Sequence, residues 1–426
     1  MRIFENPQRE QWPVLCRRVE NDNSKITDSV AHILQQVRSN GDKALLALAK
    51  AIDGVCVDSF AVSEEEFADA ELKVSEAVKK ALYKAYENIR AFHQAQYPKE
   101  IRVETSPGTI CVLRPVPLKR VGLYIPGGTA PLFSTVLMLA VPAKVAGCEE
   151  VVMCTPCRKD GSIAPEVLYA AKMCGIKKVF RIGGAQAIAA MAFGTDTVPK
   201  VDKIFGPGNR YVTVAKQMVG LRDVAIDMPA GPSEVMVIAD DTANPSFVAA
   251  DLLSQAEHGS DSQAIVLCAS MAIAQRIADE TRRQTPLLPR EKYIVDALSH
   301  SRIVVLEQRE TMVDFANMYA PEHLILSVKD PWQMASGVNT AGSVFIGNYS
   351  PESAGDYASG TNHTLPTSGW GRSCSGVNVD SYMRKMTIQE ISSAGLAILA
   401  PTITTMAEAE GLKAHAEAVR IRLNSK

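Results

Sequence analysis

From about Arg120 onward the chain alternates short apolar runs with longer stretches whose apolar positions recur at helical spacing. VGLYI, VVMC, KVFRI, DKIF and VAID are separated by stretches that open at Pro131, Pro165, Ala185 and Arg210. Compact β-branched runs predict strands buried on both faces, and the longer periodic stretches predict helices. The alternation breaks at the turn Pro229-Ala230-Gly231-Pro232-Ser233 and then resumes. EVMVIAD, QAIVLC, RIVVL, HLILSV and SVFIG follow, with helices from Asn244, near Ala272 and from Thr311. Such alternation places a parallel sheet between helical layers. The predicted fold class is therefore α/β, with two doubly wound (Rossmann-like) open-sheet domains joined near residue 232.

The flanks read differently. Residues 25 to 98 carry apolar positions at helical spacing among many Ala, Glu and Lys, as in AVKKALYKAYENIRAFHQA, which predicts a helical N-terminal segment. After SVFIG the chain is loop-rich to about residue 378, and a C-terminal helical tail runs to 426. The expected division is 1–24 as an N-terminal segment, 25–121 with 233–378 as one discontinuous domain, 122–232 as a second, and 379–426 as a tail.

Composition narrows the partners. The 426 residues are 46% hydrophobic and 22% charged, enough for separate cores. With 45 basic against 47 acidic residues, no electrostatic footprint for nucleic acid or anionic lipid is present, and a small molecule is the expected partner. The longest apolar stretch, Pro131 to Ala146, is interrupted by Pro142 and Lys144 and is shorter than the roughly 20 residues of a membrane span. It predicts a buried helix. MRIFENPQREQW carries charges where a signal peptide is apolar, so a cytoplasmic location is expected. Nine scattered cysteines fit a reducing compartment. Cys154-Thr155-Pro156-Cys157 has a redox or zinc spacing, but no second such pair accompanies it, and it ends a strand-like run.

Several places could carry chemistry. Tyr124-Ile125-Pro126-Gly127-Gly128, Gly183-Gly184-Ala185-Gln186 and Gly206-Pro207-Gly208-Asn209 each follow a strand, where glycine lets a phosphate approach the N–H groups of a helix start. No G-x-G-x-x-G occurs, and such turns equally serve tight backbone geometry. The helix begun by Asn244-Pro245 has a cap and an N1 proline, so its phase is set, and Gln255 and His258 fall three apart on one face. That spacing presents two ligands to one metal, while a histidine at a helix C-terminus also complements the dipole. Ser350 to His363 is a polar loop that brings Asp356 and His363 into one segment, a pattern of binding loops and equally of Asp-stabilised turns. Glu322-His323 sits between a helix and HLILSV, at a domain edge, and offers two bases of different intrinsic pKa.

VGLYIPGGTAPLFSTVLMLAVPAKVAGC, GGAQAIAAMAFGT, VDKIFGPGN, DMPAGPSEV, DLLSQAEHGSDSQ, APEHLI and AGSVFIGNYSPESAGDYASGTNHTLPTSG together resemble bacterial histidinol dehydrogenases, from about residue 100 to the C-terminus. The resemblance implies a zinc ion held by Gln255, His258, Asp356 and His415, all nitrogen and oxygen donors suited to a site that also takes substrate. It implies Glu322 and His323 as catalytic acid–base residues. Ser233, His363 and Glu410 would contact substrate, as would His323 and the four zinc ligands. Tyr124, Gln186 and Asn209 would border NAD, on the strand-end turns singled out above. The 25–121 and 233–378 domain would then hold zinc and substrate, 122–232 would hold NAD, and 379–426 would be the dimerisation tail.

The implied reaction is the four-electron oxidation of L-histidinol through L-histidinaldehyde to L-histidine with two NAD, the last step of histidine biosynthesis. The implied assembly is a homodimer with shared active sites, with Glu410 and His415 reaching the neighbour's site. Three rivals have distinct signatures. A cysteine-dependent aldehyde dehydrogenase needs a reactive thiol, whereas the cysteines here sit in apolar runs. A zinc and NAD dehydrogenase of a related amino alcohol would share the chelating logic, and an inactive metal-binding relative would have no use for intact Glu322 and His323.

Overall fold

The structure, a computed structural model, describes residues 1–19, 24–127, 131–229 and 231–424. Gly128 and Ala230, named in the turns above, lie outside the described residues. The chain opens with strand β1 (Arg2–Glu5), one turn of helix α1 (Trp12–Leu15), and helices α2 (Ser24–Leu48), α3 (Glu64–Lys73) and α4 (Glu76–Gln94). The hairpin β2 (Ile101–Ser106) and β3 (Thr109–Pro117) leads into the first alternation: β4 (Arg120–Tyr124), α5 (Phe133–Ala146), β5 (Glu150–Cys154), α6 (Pro165–Met173), β6 (Lys178–Phe180), α7 (Gly184–Phe193), β7 (Lys203–Phe205), α8 (Arg210–Gly220) and β8 (Ala225–Ile226). The second is β9 (Glu234–Ala239), α9 (Pro245–Ala256), β10 (Gln263–Cys268), α10 (Met271–Gln284), α11 (Glu291–Ser299), β11 (Arg302–Val305), α12 (Arg309–Tyr319), β12 (His323–Ser327), α13 (Pro331–Ala335), β13 (Ser343–Ile346) and the short α14 (Glu352–Tyr357). The tail comprises β14 (Met383–Ile391), α15 (Ser393–Ala409) and α16 (Lys413–Asn424).

Both parallel sheets have one topology. The first runs β6-β5-β4-β7-β8, and the second runs β1-β11-β10-β9-β12-β13. Counted from each first central strand, the order is 3-2-1-4-5 in both, with β1 added at the edge of the second. Each strand alternates its side chains between two cores. Val121 and Leu123 of β4 face one apolar layer while Tyr124 faces the other, and Val235 and Val237 of β9 oppose Met236 and Ile238. Both faces are covered, which is why these strands read as continuous apolar runs.

Three expectations need correction. The expected grouping is 25–121 with 233–378, but Phe67, Leu82 and Ile89 share a core with α5 and α6, and Val30, Val37 and Leu45 share one with α7 and α8. The N-terminal helices thus form an outer layer on the first sheet, and α5 is apolar on nearly every face because α4 covers its outer side. The separate 1–24 segment is in part a strand of the second sheet, since β1 pairs in parallel with β11. The tail is not wholly helical: β14 pairs along nine residues with β3, from Met383 opposite Pro117 to Ile391 opposite Thr109.

Candidate active site

Glu322 and His323 stand at the amino edge of the second sheet, His323 as the first residue of β12 beside Val235 of β9. Helix α12 ends at Ala320 in a left-handed conformation, and Pro321 turns the chain into the strand. One residue of the neighbouring strand holds both side chains. The Glu234 N–H donates to Glu322 Oε2 at 2.9 Å, and the Glu234 carbonyl lies 3.0 Å from His323 Nδ1. A carbonyl only accepts, so Nδ1 carries the proton and Nε2 keeps its lone pair. That Nε2 is buried and has no hydrogen-bond partner among the described residues, with Asp356 Oδ1 3.9 Å away. Burial pushes the Glu322 carboxyl well above the usual range, against the pull of the Glu234 N–H. Burial also lowers the His323 imidazole to about 4, so it is neutral at pH 7.

Helix α9, capped by Asn244 through Ser246 N–H at 3.0 Å, delivers Gln255 and then His258 to the same edge. The helix ends at Ala256, so His258 lies in the following turn, with its N–H on the Gln255 carbonyl at 3.2 Å. Helix α14, inside the stretch expected to be loop, brings Glu352 and Asp356. Ligand atoms of His258, Glu352 and Asp356 lie within 4.8 Å of one another. The Gln255 amide lies against Glu352 at 2.6 and 3.1 Å and 3.2 Å from His323 Nδ1, between the carboxyl and the imidazole. Burial raises Asp356 to about 7 and Glu352 well above its usual value. A divalent cation among these oxygen and nitrogen donors would reverse the carboxylate penalties, so the residues fit one.

Of the other expected substrate residues, His363 joins the group: its Nδ1 lies 3.0 Å from the Asp356 carbonyl, and its Nε2 3.3 Å from Thr135 Oγ1 on α5. Ser233 directly precedes β9 at the same edge. Glu410 and His415 are exposed on the tail, at the end of α15 and in α16, and His415 is absent from the 4.8 Å group. Sequence reasoning missed Glu352, which stands one helical turn before Asp356, and Asp251, which stands one turn before Gln255; both i, i+4 spacings were visible. It also missed Glu234, whose contribution is through its peptide groups and leaves no trace in residue type.

Tyr124, Gln186 and Asn209 line one cleft of about 830 Å³ at the carboxyl edge of the first sheet. Tyr124 Oη accepts the Gly184 N–H at 3.1 Å, Asn209 Oδ1 caps α8 through the N–H groups of Tyr211 and Val212, and Gln186 Nε2 donates to Asp53 Oδ2 at 3.0 Å. Asp53 is a further residue the sequence did not mark. Gly206 has φ +122°, and a Cβ there would fall on the Tyr124 carbonyl oxygen, so glycine is required. Cys154 and Cys157 are free, and burial raises both thiols, so neither has the lowered pKa of a redox thiolate.

Cleft and cluster together are those of a two-sheet α/β oxidoreductase. The family model for histidinol dehydrogenase matches residues 16–423. Histidinol dehydrogenase of Bacteroides thetaiotaomicron is 51% identical over 100% of this chain and 99% of that one, and that of Aliivibrio fischeri is 52% identical over 97% and 94%. A crystal structure of histidinol dehydrogenase from Elizabethkingia anophelis superposes with a TM-score of 0.98 at 47% identity, covering 100% of this chain and 98% of that one. The chain belongs to the histidinol dehydrogenase family, NAD-dependent oxidoreductases of histidine biosynthesis. Among the described residues no helix is long and apolar enough to cross a membrane.

Proposed function

We propose that this site oxidises L-histidinol through L-histidinaldehyde to L-histidine, with Glu322 and His323 as its acid–base residues and two NAD consumed per turnover. The observation that carries the reading is His323, whose Nδ1–H faces a backbone carbonyl while its buried Nε2 has no hydrogen-bond partner among the described residues. A neutral imidazole in that state accepts a proton at Nε2 as the alcohol loses hydride to the first NAD. Glu322, whose proton affinity burial has raised, takes a proton from the water that adds to the aldehyde, and His323 gives its proton to the carbonyl oxygen, so the hydrate forms and the imidazole is neutral again. His323 then accepts the hydroxyl proton of the hydrate as the second hydride leaves.

Gln255, His258 and Asp356 would hold zinc, with His415 of a second copy of the chain completing the set. Zinc, when bound, supplies a fixed anchor for the substrate's imidazole and amino nitrogens. Ser233, His363 and Glu410 would contact the substrate, and Tyr124, Gln186 and Asn209 would border NAD. A homodimer with shared sites accounts for two exposed polar tail residues on helices that pack chiefly on each other. The enzyme would work in the cytoplasm, without nucleic-acid or membrane partners.

The test is NADH formation from L-histidinol with and without a chelator, alongside far-UV circular dichroism. Two NADH per histidinol consumed, activity lost on chelation and an unchanged dichroism spectrum are expected, because both sheets have cores independent of the metal. One NADH per histidinol, or loss of helical signal together with activity, would refute the reading.

A further inference from the structure

An ion pair behind the acid–base residues is left unused by that mechanism. The Glu234 side chain is 3% exposed, and Arg18 grips it with both prongs of its guanidinium, Nε to Oε1 at 2.5 Å and Nη2 to Oε2 at 2.9 Å. The Ser368 N–H donates to the same Oε1 at 2.9 Å. Arg18 also reaches the other strand. Its Nη2 donates to the Tyr319 carbonyl at 2.7 Å, at the end of the helix that leads into Glu322, and the guanidinium lies 4.0 Å over the Tyr319 ring. The Tyr319 hydroxyl is fixed in turn by Gln263 Oε1 at 2.7 Å.

Arg18 therefore touches both chain segments whose relative placement decides where the acid–base pair stands. One is Glu234, whose N–H and carbonyl hold Glu322 and His323; the other is the turn from which those two residues emerge. We propose that Arg18, acting through Glu234 and the end of α12, is a positioning residue for Glu322 and His323, so that the N-terminal segment is part of the catalytic apparatus rather than only an edge of the sheet. The proposal rests on the reading of Glu322 and His323 given above. A two-pronged guanidinium–carboxylate contact fixes orientation as well as distance, which a lysine ammonium does not. Misplacement of a reacting group by about 1 Å costs on the order of a hundredfold in rate.

The competing account is that Arg18 merely ties the N-terminal segment down, and Arg302 provides the control. It donates to the carbonyls of Leu15 at 2.7 Å, Val14 at 3.2 Å and Arg17 at 3.1 Å without touching Glu234. Steady-state kinetics of the zinc-loaded enzyme should show kcat of Arg18→Met down about tenfold or more, with KM for histidinol and for NAD within about twofold and metal content unchanged. Arg18→Lys should recover part of the loss, and Arg302→Met should keep kcat within about twofold. Wild-type kcat in Arg18→Met, or an equal loss in Arg302→Met, overturns the proposal. Should Arg18→Met fail to fold, Arg18→Lys and Glu234→Gln decide: several-fold lower kcat at unchanged KM supports the proposal, and wild-type kcat in both rejects it. Full activity in Glu322→Gln would instead strike the underlying assignment of Glu322.

Discussion

In the first sheet the candidate residues stand at the carboxyl ends of the strands, Tyr124 closing β4 and the glycine turns following β6 and β7, whereas in the second the acid–base pair stands at the amino ends of β9 and β12. The topology is the same in both, so the difference lies in which edge is used. A carboxyl edge exposes helix N-termini, whose free N–H groups favour anionic ligands such as a dinucleotide's phosphates. An amino edge exposes helix C-termini and the first peptide groups of strands, which favour cations and can fix the tautomer of a base. The chain passes from β8 to β9 through residues 227–233 alone, which brings the two edges together. Contacts of Thr135 with His363 and of Met138 with Asn362 join them again.

The two edges should answer differently to substitution. The largest effect is expected at the amino edge, where Glu322→Gln keeps the shape and the contact with Glu234 but abolishes a proton acceptor. Oxidation of supplied histidinaldehyde should fall by roughly a hundredfold or more, while the first hydride transfer from histidinol falls far less. Rapid mixing should then show one early equivalent of NADH per site before a slow phase. Equal slowing of both half-reactions would assign Glu322 some other task.

At the carboxyl edge the corresponding break is steric. Gly206→Ala forces a Cβ against the Tyr124 carbonyl in a backbone region that costs on the order of 1–3 kcal/mol for a non-glycine residue. KM for NAD should rise about tenfold with zinc content unchanged. A rise confined to KM for histidinol would show that the cleft is not where NAD binds.

The exposed tail residues allow a test of where the amino-edge site ends. His258→Asn and His415→Asn, each inactive alone, are denatured and refolded together. If the site is shared, about half the dimers are mixed and each has one intact site, so roughly a quarter of wild-type activity returns. No activity above the parents would mean that each chain completes its own site.

The strands of both sheets other than β1 were legible because burial on two faces leaves an uninterrupted apolar run, as in EVMVIA, whereas β1, RIFE at the sheet's edge, has none. β14 was not, because MRKMTIQEI is mostly exposed and its partner β3 lies far away in sequence. Gln255 and His258 were legible because a capped helix fixes their phase. Asp356 and His363 were visible as types but not as neighbours of His258, and His415 came forward only through resemblance, as an exposed helix residue would. The support behind the site escaped altogether. Glu234 works through its peptide, and Arg18 is joined to it by a contact spanning 216 positions.

The smallest expected effect concerns charge at rest. Burial raises Asp251, on α9 one turn before Gln255, to about 7, and only the backbone N–H of Glu352 opposes it. The folded chain therefore binds that proton more tightly than the unfolded chain does, so this residue's contribution to stability declines as pH rises from about 4 to about 7 and is constant above. Asp251→Asn removes the burden without removing an acceptor for the Glu352 N–H. In metal-free protein its Tm should match wild type near pH 4 and exceed it by about 1–3 °C at pH 8, as expected for on the order of 1–3 kcal/mol in a chain of this size. Asp53, the carboxylate of the opposite cleft, is exposed and raised less, so Asp53→Asn should show a smaller dependence on pH. A gain for Asp251→Asn that is the same at pH 4 and pH 8 would mean that its carboxylate is not held neutral by burial. The contrast between the amino edge and the carboxyl edge would then rest on geometry alone.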